Sequence, residues 1–177
     1  MMWRSERWVL MANGPGARLV DRLFRISREA AREALGGRWD IEGVMSVGFC
    51  GALDPALRVG DIVQEGVLTL DRVAVTAAEK RELRERTHAA AVEMESAAVE
   101  AKAREWGVEF RCVKAVSDLA SEDLPFDFNR YRDVEGRFSR GRIAAAAILR
   151  PARIPALMRL DRNCRIAAEK LGEFLTK

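Results

Sequence analysis

Apolar positions along the chain fall into short runs separated by amphipathic stretches, and the clearest such succession lies between Ala89 and Glu122 (AAAVEMESAAVEAKAREWGVEFRCVKAVSDLASE). Ala90 to Glu93 is a short apolar run. Ser96 to Trp106 then carries Ala97, Ala98, Ala101 and Trp106 at helical spacing with charges between them, and Phe110 to Val116 is a second apolar run. The pattern predicts strand, helix, strand. A crossover of that kind makes the two strands parallel and sets Glu95 and Asp118, just past each strand, on one edge of the sheet. In open α/β sheets that edge is where ligands bind.

Upstream, Trp8 to Ala12 predicts a strand, broken by Asn13-Gly14-Pro15-Gly16 before an amphipathic helix that runs from about Ala17 to Gly36-Gly37. Strand, glycine turn and helix can offer backbone N–H groups to an anion; a plain tight connection has the same composition. Ile41 to Val47 is a further apolar run, expected beside the first in a parallel sheet. Gly48 to Pro55 (GFCGALDP) reads as a small-residue loop at its C-terminal end, suited to close backbone approach of a ligand or to a tight turn.

Val59 to Val63 and Gly66 to Leu70 predict short strands, and Thr76 with Glu79 fits a capping box that opens a helix from Ala77 to about Arg86. Leu124 to Val134 has no period and predicts a loop, whose Phe126, Phe128 and Tyr131 require cover from a partner subunit or from the monomer itself. Ser139 to Leu149 is helical, Pro151 and Pro155 punctuate, and Ala156 to Leu175 closes the chain as one amphipathic helix.

Composition narrows the class. With 177 residues and 49% hydrophobic content, the chain is expected to form a single domain over residues 1–177. The 30 basic and 27 acidic residues are interspersed, and no basic stripe is interleaved with aromatics, so no nucleic-acid partner is expected. Cys50, Cys112 and Cys164 form no C-x-x-C pair and His88 is the one histidine, so no metal site is expected and the thiols fit a cytoplasmic protein. A Cys/His hydrolase is a poor fit, because neither Cys50 nor Cys112 sits in a nucleophile turn. No run reaches the length of a membrane span or a signal peptide.

The candidate chemistry is acidic. Glu93 and Glu95 flank Met94 where strand gives way to helix, and a carboxylate there can accept two hydrogen bonds from the vicinal diol of a ribose; the plainer reading is an acidic helix start. Asp118 follows Ser117 at the end of an apolar strand, where it can equally serve as a cap. Paired acids break glycosidic bonds, one protonating the leaving group while another group steadies the sugar or activates water.

Gly48 to Val63 (GFCGALDPALRVGDIV), Ala91 to Ala97 (AVEMESA) and Ala115 to Asp118 (AVSD) resemble, in order, three signature segments of the purine nucleoside phosphorylase and methylthioadenosine/S-adenosylhomocysteine nucleosidase superfamily, nearest to bacterial hopanoid-associated phosphorylase-like members. Asn13 to Gly16 and Gly66 to Lys80 match as well. The resemblance implies a Rossmann-like three-layer αβα fold with a mixed, largely parallel sheet. It also implies a homodimer or larger assembly that cleaves the N-glycosidic bond of a purine nucleoside without metal or cofactor. Carried over by position, Glu95 would hold the ribose hydroxyls with Met94 and Glu93 beside it, and Asp118 would protonate or hydrogen-bond N7 of the departing base, helped by Ser117. Gly51 and Phe49 would lie near the sugar or nucleophile, and the backbone at Val73 and Ala74 near the base.

The departures also matter. The family's first strand, with the glutamate that positions water in the nucleosidases, has no counterpart here, and between Val63 and Gly66 about one βα unit is missing. Phe49 stands where phosphorylases tend to have a phosphate-binding serine or threonine, which favours hydrolysis over phosphorolysis. A phosphate-dependent phosphorylase and a degenerate, non-catalytic nucleoside-binding member are the alternatives.

Overall fold

The computed structural model describes residues 41–133 and 137–176, together with the backbone of 2–4 and 9–11 and residue 33. Strands β1 (Met2–Arg4) and β2 (Val9–Met11) pair antiparallel in a sheet of their own. The strand expected at Trp8 to Ala12 is thus present, but its partner is β1, not the parallel neighbour expected at Ile41 to Val47. A partner a few residues away costs less loop-closure entropy than one some thirty residues on. The turn at Asn13 to Gly16 and the helix expected to follow it lie outside the described residues.

The central sheet contains β3 (Gly43–Ala52), β4 (Ile62–Val63), β5 (Val67–Thr69), β6 (Ala91–Glu93) and β7 (Glu109–Asp118), in the order β4-β7-β3-β6-β5. It is mixed: β3–β7 and β5–β6 pair parallel, β3–β6 and β4–β7 antiparallel. Four helices follow the predicted segments, α1 (Ala77–Thr87), α2 (Ser96–Trp106), α3 (Arg140–Leu149) and α4 (Ile154–Leu175).

Helices cover both faces. On one face α4 sets Ala167 and Leu171 against Val113 and Ala115, with Met45, Val47 and Ile62 beside them. On the same face, towards β5 and β6, Leu83 of α1 packs with Leu53, Ala74, Ala89 and Val92. The other face carries Cys50, Ala52, Val63, Ala91 and Val116, and there Ser96 at the start of α2 meets Ser46 and Cys112. The result is a three-layer α/β arrangement, with apolar side chains alternating between faces as strand geometry dictates.

Two expectations are corrected. Because β6 runs antiparallel to β3 while β7 runs parallel to it, β6 and β7 point in opposite directions, with β3 between them. β6 spans three residues at the C-terminal end of β3, so α2 runs on down the sheet to the start of β7 and no return crossover is needed. Gly48 to Ala52, expected in a loop, is the second half of β3, held by register with β7. Pro155, expected to punctuate, stands in the first turn of α4, where a missing N–H costs nothing.

Local signals explain the remaining ends. Thr76 accepts the N–H of Glu79 and so caps α1 as predicted, while the Glu79 carboxylate reaches back one residue further, to the N–H of Val75. His88 closes that helix in the left-handed conformation, which accounts for the one histidine as a cap. Between β4 and β5 the chain turns through Gly66 at φ 66°, a conformation that favours glycine, and no βα unit intervenes. In the loop after β7, Phe126 is 1% exposed and meets half-buried Phe128 and Tyr131 edge-on, so the monomer itself covers Phe126.

Candidate active site

β7 keeps register with β3 from Glu109 opposite Gly43 to Val116 opposite Cys50, and then Asp118, not Ser117, stands opposite Gly51. Ser117 is the extra residue of a β-bulge. Strand alternation puts Gly48 and Gly51 on opposite faces of β3. A Cβ at Gly48 would meet Lys114 Nζ at 3.7 Å, and one at Gly51 would fall 2.9 Å from Asp118 Oδ2. The bulge therefore turns Asp118 to the face opposite Lys114, whereas an unbroken strand would keep the two on one face.

Asp118 is buried and held from two sides. Lys80 of α1, 0% exposed, donates to Asp118 Oδ2 at 2.5 Å, to the Leu119 carbonyl at 2.8 Å and to the Glu122 carbonyl at 3.1 Å, which uses all three ammonium protons. Ser117 Oγ lies 2.9 Å from Asp118 Oδ1 and 3.2 Å from the Cys50 carbonyl, and its single proton can serve one of them at a time. Burial, and after it the charge of Asp118, pushes the Cys50 thiol up to about 12, so Cys50 is no nucleophile.

Beside Asp118 a narrow cleft of about 10 Å³ lies between the segment after β7 and α4. Leu124, Pro125, Ala156 and Leu160 give it apolar walls, and Arg159 and Glu122, 3.4 Å apart, bridge its rim. Its buried polar lining is Asp118 and Asn163.

The second acidic cluster surrounds Lys114, 1% exposed in the middle of β7. Lys114 Nζ lies 2.9 Å from Glu93 Oε2 and 3.5 Å from Glu95 Oε2. Glu93 also accepts the Thr69 hydroxyl at 2.6 Å and the N–H groups of Glu95 and Ser96 at 2.9 Å, so its carboxylate caps the start of α2. Burial alone would raise its pKa, but the charge and hydrogen bond of Lys114, with the Thr69 hydroxyl and the Glu95 N–H, hold it at about 2. Met94 is buried.

The predicted residues thus fall into separate groups. Gly51, Ser117 and Asp118 come together at the end of β7; Glu93 and Glu95 meet at Lys114, with Met94 between them in the chain. Lys114 and Asp118 stand opposite Gly48 and Gly51, roughly 10 Å apart along β3 at about 3.3 Å per residue. Phe49 is 41% exposed. The N–H and carbonyl of Val73 are both taken by the Asn129 carboxamide, at 2.8 and 3.0 Å, and Ala74 is buried in the core under α1.

Sequence reasoning missed Lys80, Lys114 and Asn163. Lys80 stands three residues before buried Leu83, on the inward stripe of α1; Lys114 interrupts an apolar strand; Asn163 continues the stripe of Ala167 and Leu171 at four-residue spacing. A polar residue in an apolar stripe was the available signal. Among the described residues, no three His, Cys, Asp or Glu side chains are grouped to hold a metal ion, and no helix is long and apolar enough to cross a membrane.

A mixed sheet covered by helices on both faces, with an acid at a bulged strand end, defines an α/β protein of the nucleoside phosphorylase and nucleosidase fold. Residues 67–152 match the family model of the Phosphorylase superfamily. Futalosine hydrolase of Helicobacter pylori strain 26695 superposes with a TM-score of 0.61 at 16% identity, over 95% of this chain and 77% of that one. The 5'-methylthioadenosine/S-adenosylhomocysteine nucleosidase of Helicobacter pylori gives 0.61 at 15%, with the same coverage. The corresponding nucleosidase of Colwellia psychrerythraea 34H, in complex with adenine, gives 0.54 at 18%, over 73% of this chain and 72% of that one. At these identities the likeness is one of fold. A search of curated proteins gives no match.

Proposed function

We propose that this chain is a nucleosidase-type enzyme that cleaves the N-glycosidic bond of a purine, adenine-type nucleoside. The observation that carries this reading is Asp118, turned by the bulge out of the plane of Lys114 and fixed by Lys80 and Ser117 at the edge of a narrow cleft. A carboxyl group in that position can give N7 of the departing base a proton or a hydrogen bond. Such a contact strengthens as the bond breaks and charge reaches the base, and so lowers the barrier more than it tightens ground-state binding.

Glu95 is assigned the ribose hydroxyls on the resemblance of AVEMES, with Met94 and Glu93 supporting it. A nucleoside meeting both acids has to bridge the roughly 10 Å between the levels of Gly48 and Gly51 and pass from one face of the sheet to the other. Water is the proposed nucleophile, because exposed Phe49 offers phosphate no hydrogen bond. Three unpaired cysteines support a cytoplasmic protein, and exposed Ile148, Leu149 and Met158 support a homodimer.

A second reading is favoured by the saturation of Lys80 and by a cleft of about 10 Å³, far below the roughly 300 to 1,000 Å³ usual for small-molecule sites. In that reading the chain binds a nucleoside without cleaving it. One experiment separates the two: incubation with methylthioadenosine, S-adenosylhomocysteine, adenosine and inosine, with and without phosphate, followed by assay of free base. Phosphate-independent release from at least one of them is expected. Thermal stabilisation by a nucleoside with no release from any would establish the binding-only reading instead.

A further inference from the structure

Ile148 and Leu149, which close α3, are 77% and 82% exposed, and Met158 in the second turn of α4 is 68% exposed, one turn beyond exposed Ile154. The run from Ile143 to Leu149 is apolar throughout, and Ala144 and Ala145 are exposed along with the residues that end it. The short turn Pro151–Arg153 joins the two helices, so these side chains all sit at one junction. Apolar surface left in water carries a free-energy cost, and a cluster of it marks an interaction site.

Charge selects the partner. From Arg137 to Arg165 the chain has eight arginines and one acid, Asp161, whereas the whole chain is only +3. Arg142, Arg153 and Arg159 are engaged with the Arg130 carbonyl, the Pro125 carbonyl and Glu122, and Arg165 with Asp161. Arg140, Arg150 and Arg162 have no acidic partner among the described residues. Arg150 lies between the two helices, and Arg162 extends the Ile154–Met158 stripe by one further turn.

We infer that this junction docks on an anionic membrane surface, its apolar side chains entering the interfacial layer and Arg140, Arg150 and Arg162 reaching lipid phosphates. Helices with basic side chains beside apolar ones lie in that layer without spanning it, and each basic residue near an anionic leaflet adds attraction. The stem of an arginine lies along apolar surface while its guanidinium group reaches a phosphate. A second copy also covers the apolar side chains, but it sets arginine against arginine, with Asp161 the one acid of this segment to answer them. A bilayer supplies an apolar layer and negative charge together. Ala156, Arg159 and Leu160, from the same turns of α4, line the cleft beside Asp118, so the docked surface adjoins that cleft.

The test is co-sedimentation of the intact chain with phosphatidylcholine vesicles, with and without phosphatidylglycerol, at low and high salt, with the oligomeric state measured alongside. Binding to the phosphatidylglycerol vesicles is expected, with little to phosphatidylcholine alone and a loss at high salt. Replacing Arg140, Arg150 and Arg162 together by glutamine is expected to weaken it on the order of a hundredfold. Leu149→Ser with Met158→Ser is expected to weaken it roughly tenfold. All five side chains are exposed, so both variants keep the fold, which circular dichroism checks. Arg162→Gln alone, expected to weaken binding roughly fivefold, gives the reading if either combination does not fold. No binding to the anionic vesicles, or binding within roughly twofold of wild type in either combined variant, would overturn the inference. So would a solution dimer that the serine variant dissociates, which gives the surface to a second copy. Vesicle binding is read without catalysis, so its outcome is independent of the hydrolytic reading.

Discussion

The side chains of Lys80 and Lys114 are 0% and 1% exposed, and each is neutralised by an acid that the sequence had already singled out. Removing one partner of such a pair leaves the other charge buried and uncompensated. Lys80→Met is accordingly expected to lower the unfolding free energy by about 3–5 kcal/mol in urea titrations, and a loss below about 1 kcal/mol would mean that Asp118 does not need Lys80. The Glu93 carboxylate gives a pH signature. Its folded-state pKa of about 2 lies below the ordinary 4.5, so it contributes stability that is fully present above about pH 4.5 and is lost as pH falls towards 2. The loss is on the order of 3 kcal/mol. Unfolding titrations between pH 2 and 5 should show this fall in the wild type and a flatter curve in Glu93→Gln; equal slopes would contradict it. At this scale Ser117 and Asp118 were legible in the sequence because a strand end shows in the hydrophobic pattern. Their lysine partners were not, because which helix covers which strand is a long-range fact.

Among elements, the bulge in β7 decides most. It inserts Ser117, shifts the register between Cys50 and Gly51, and turns Asp118 towards α1 and α4. Gly51 is part of the same device, since a methyl group there would crowd Asp118 Oδ2 at 2.9 Å. Gly51→Ala should therefore destabilise by about 1–3 kcal/mol in a wild-type background and by clearly less when Asp118 is also alanine; additive costs in that double-mutant cycle would place the strain elsewhere. The strands and helices themselves were largely readable, from Thr76 as the cap of α1 to the stripe of α4. Strand direction was not. A strand-helix-strand pattern reads as a parallel crossover, yet β6 has three residues and spends them at the far end of β3, so α2 continues its direction. Nothing in a three-residue run tells which way it lies.

For the molecule as a whole, the family match over residues 67–152 takes in the motifs AVEMES and AVSD, whereas GFCGALDP lies before it and forms the second half of β3 and the turn that follows. The resemblance had no means of anticipating that the acids would be divided between two buried lysines on opposite faces of the sheet. A substrate that draws on both clusters must join them across the end of β3. The most direct test is the rate of purine release by Asp118→Asn on the nucleoside that wild-type protein cleaves fastest, with folding checked by circular dichroism. A fall of about 10²-fold or more in a folded variant is the predicted result; release at the wild-type rate would contradict the assignment of Asp118 to the leaving base.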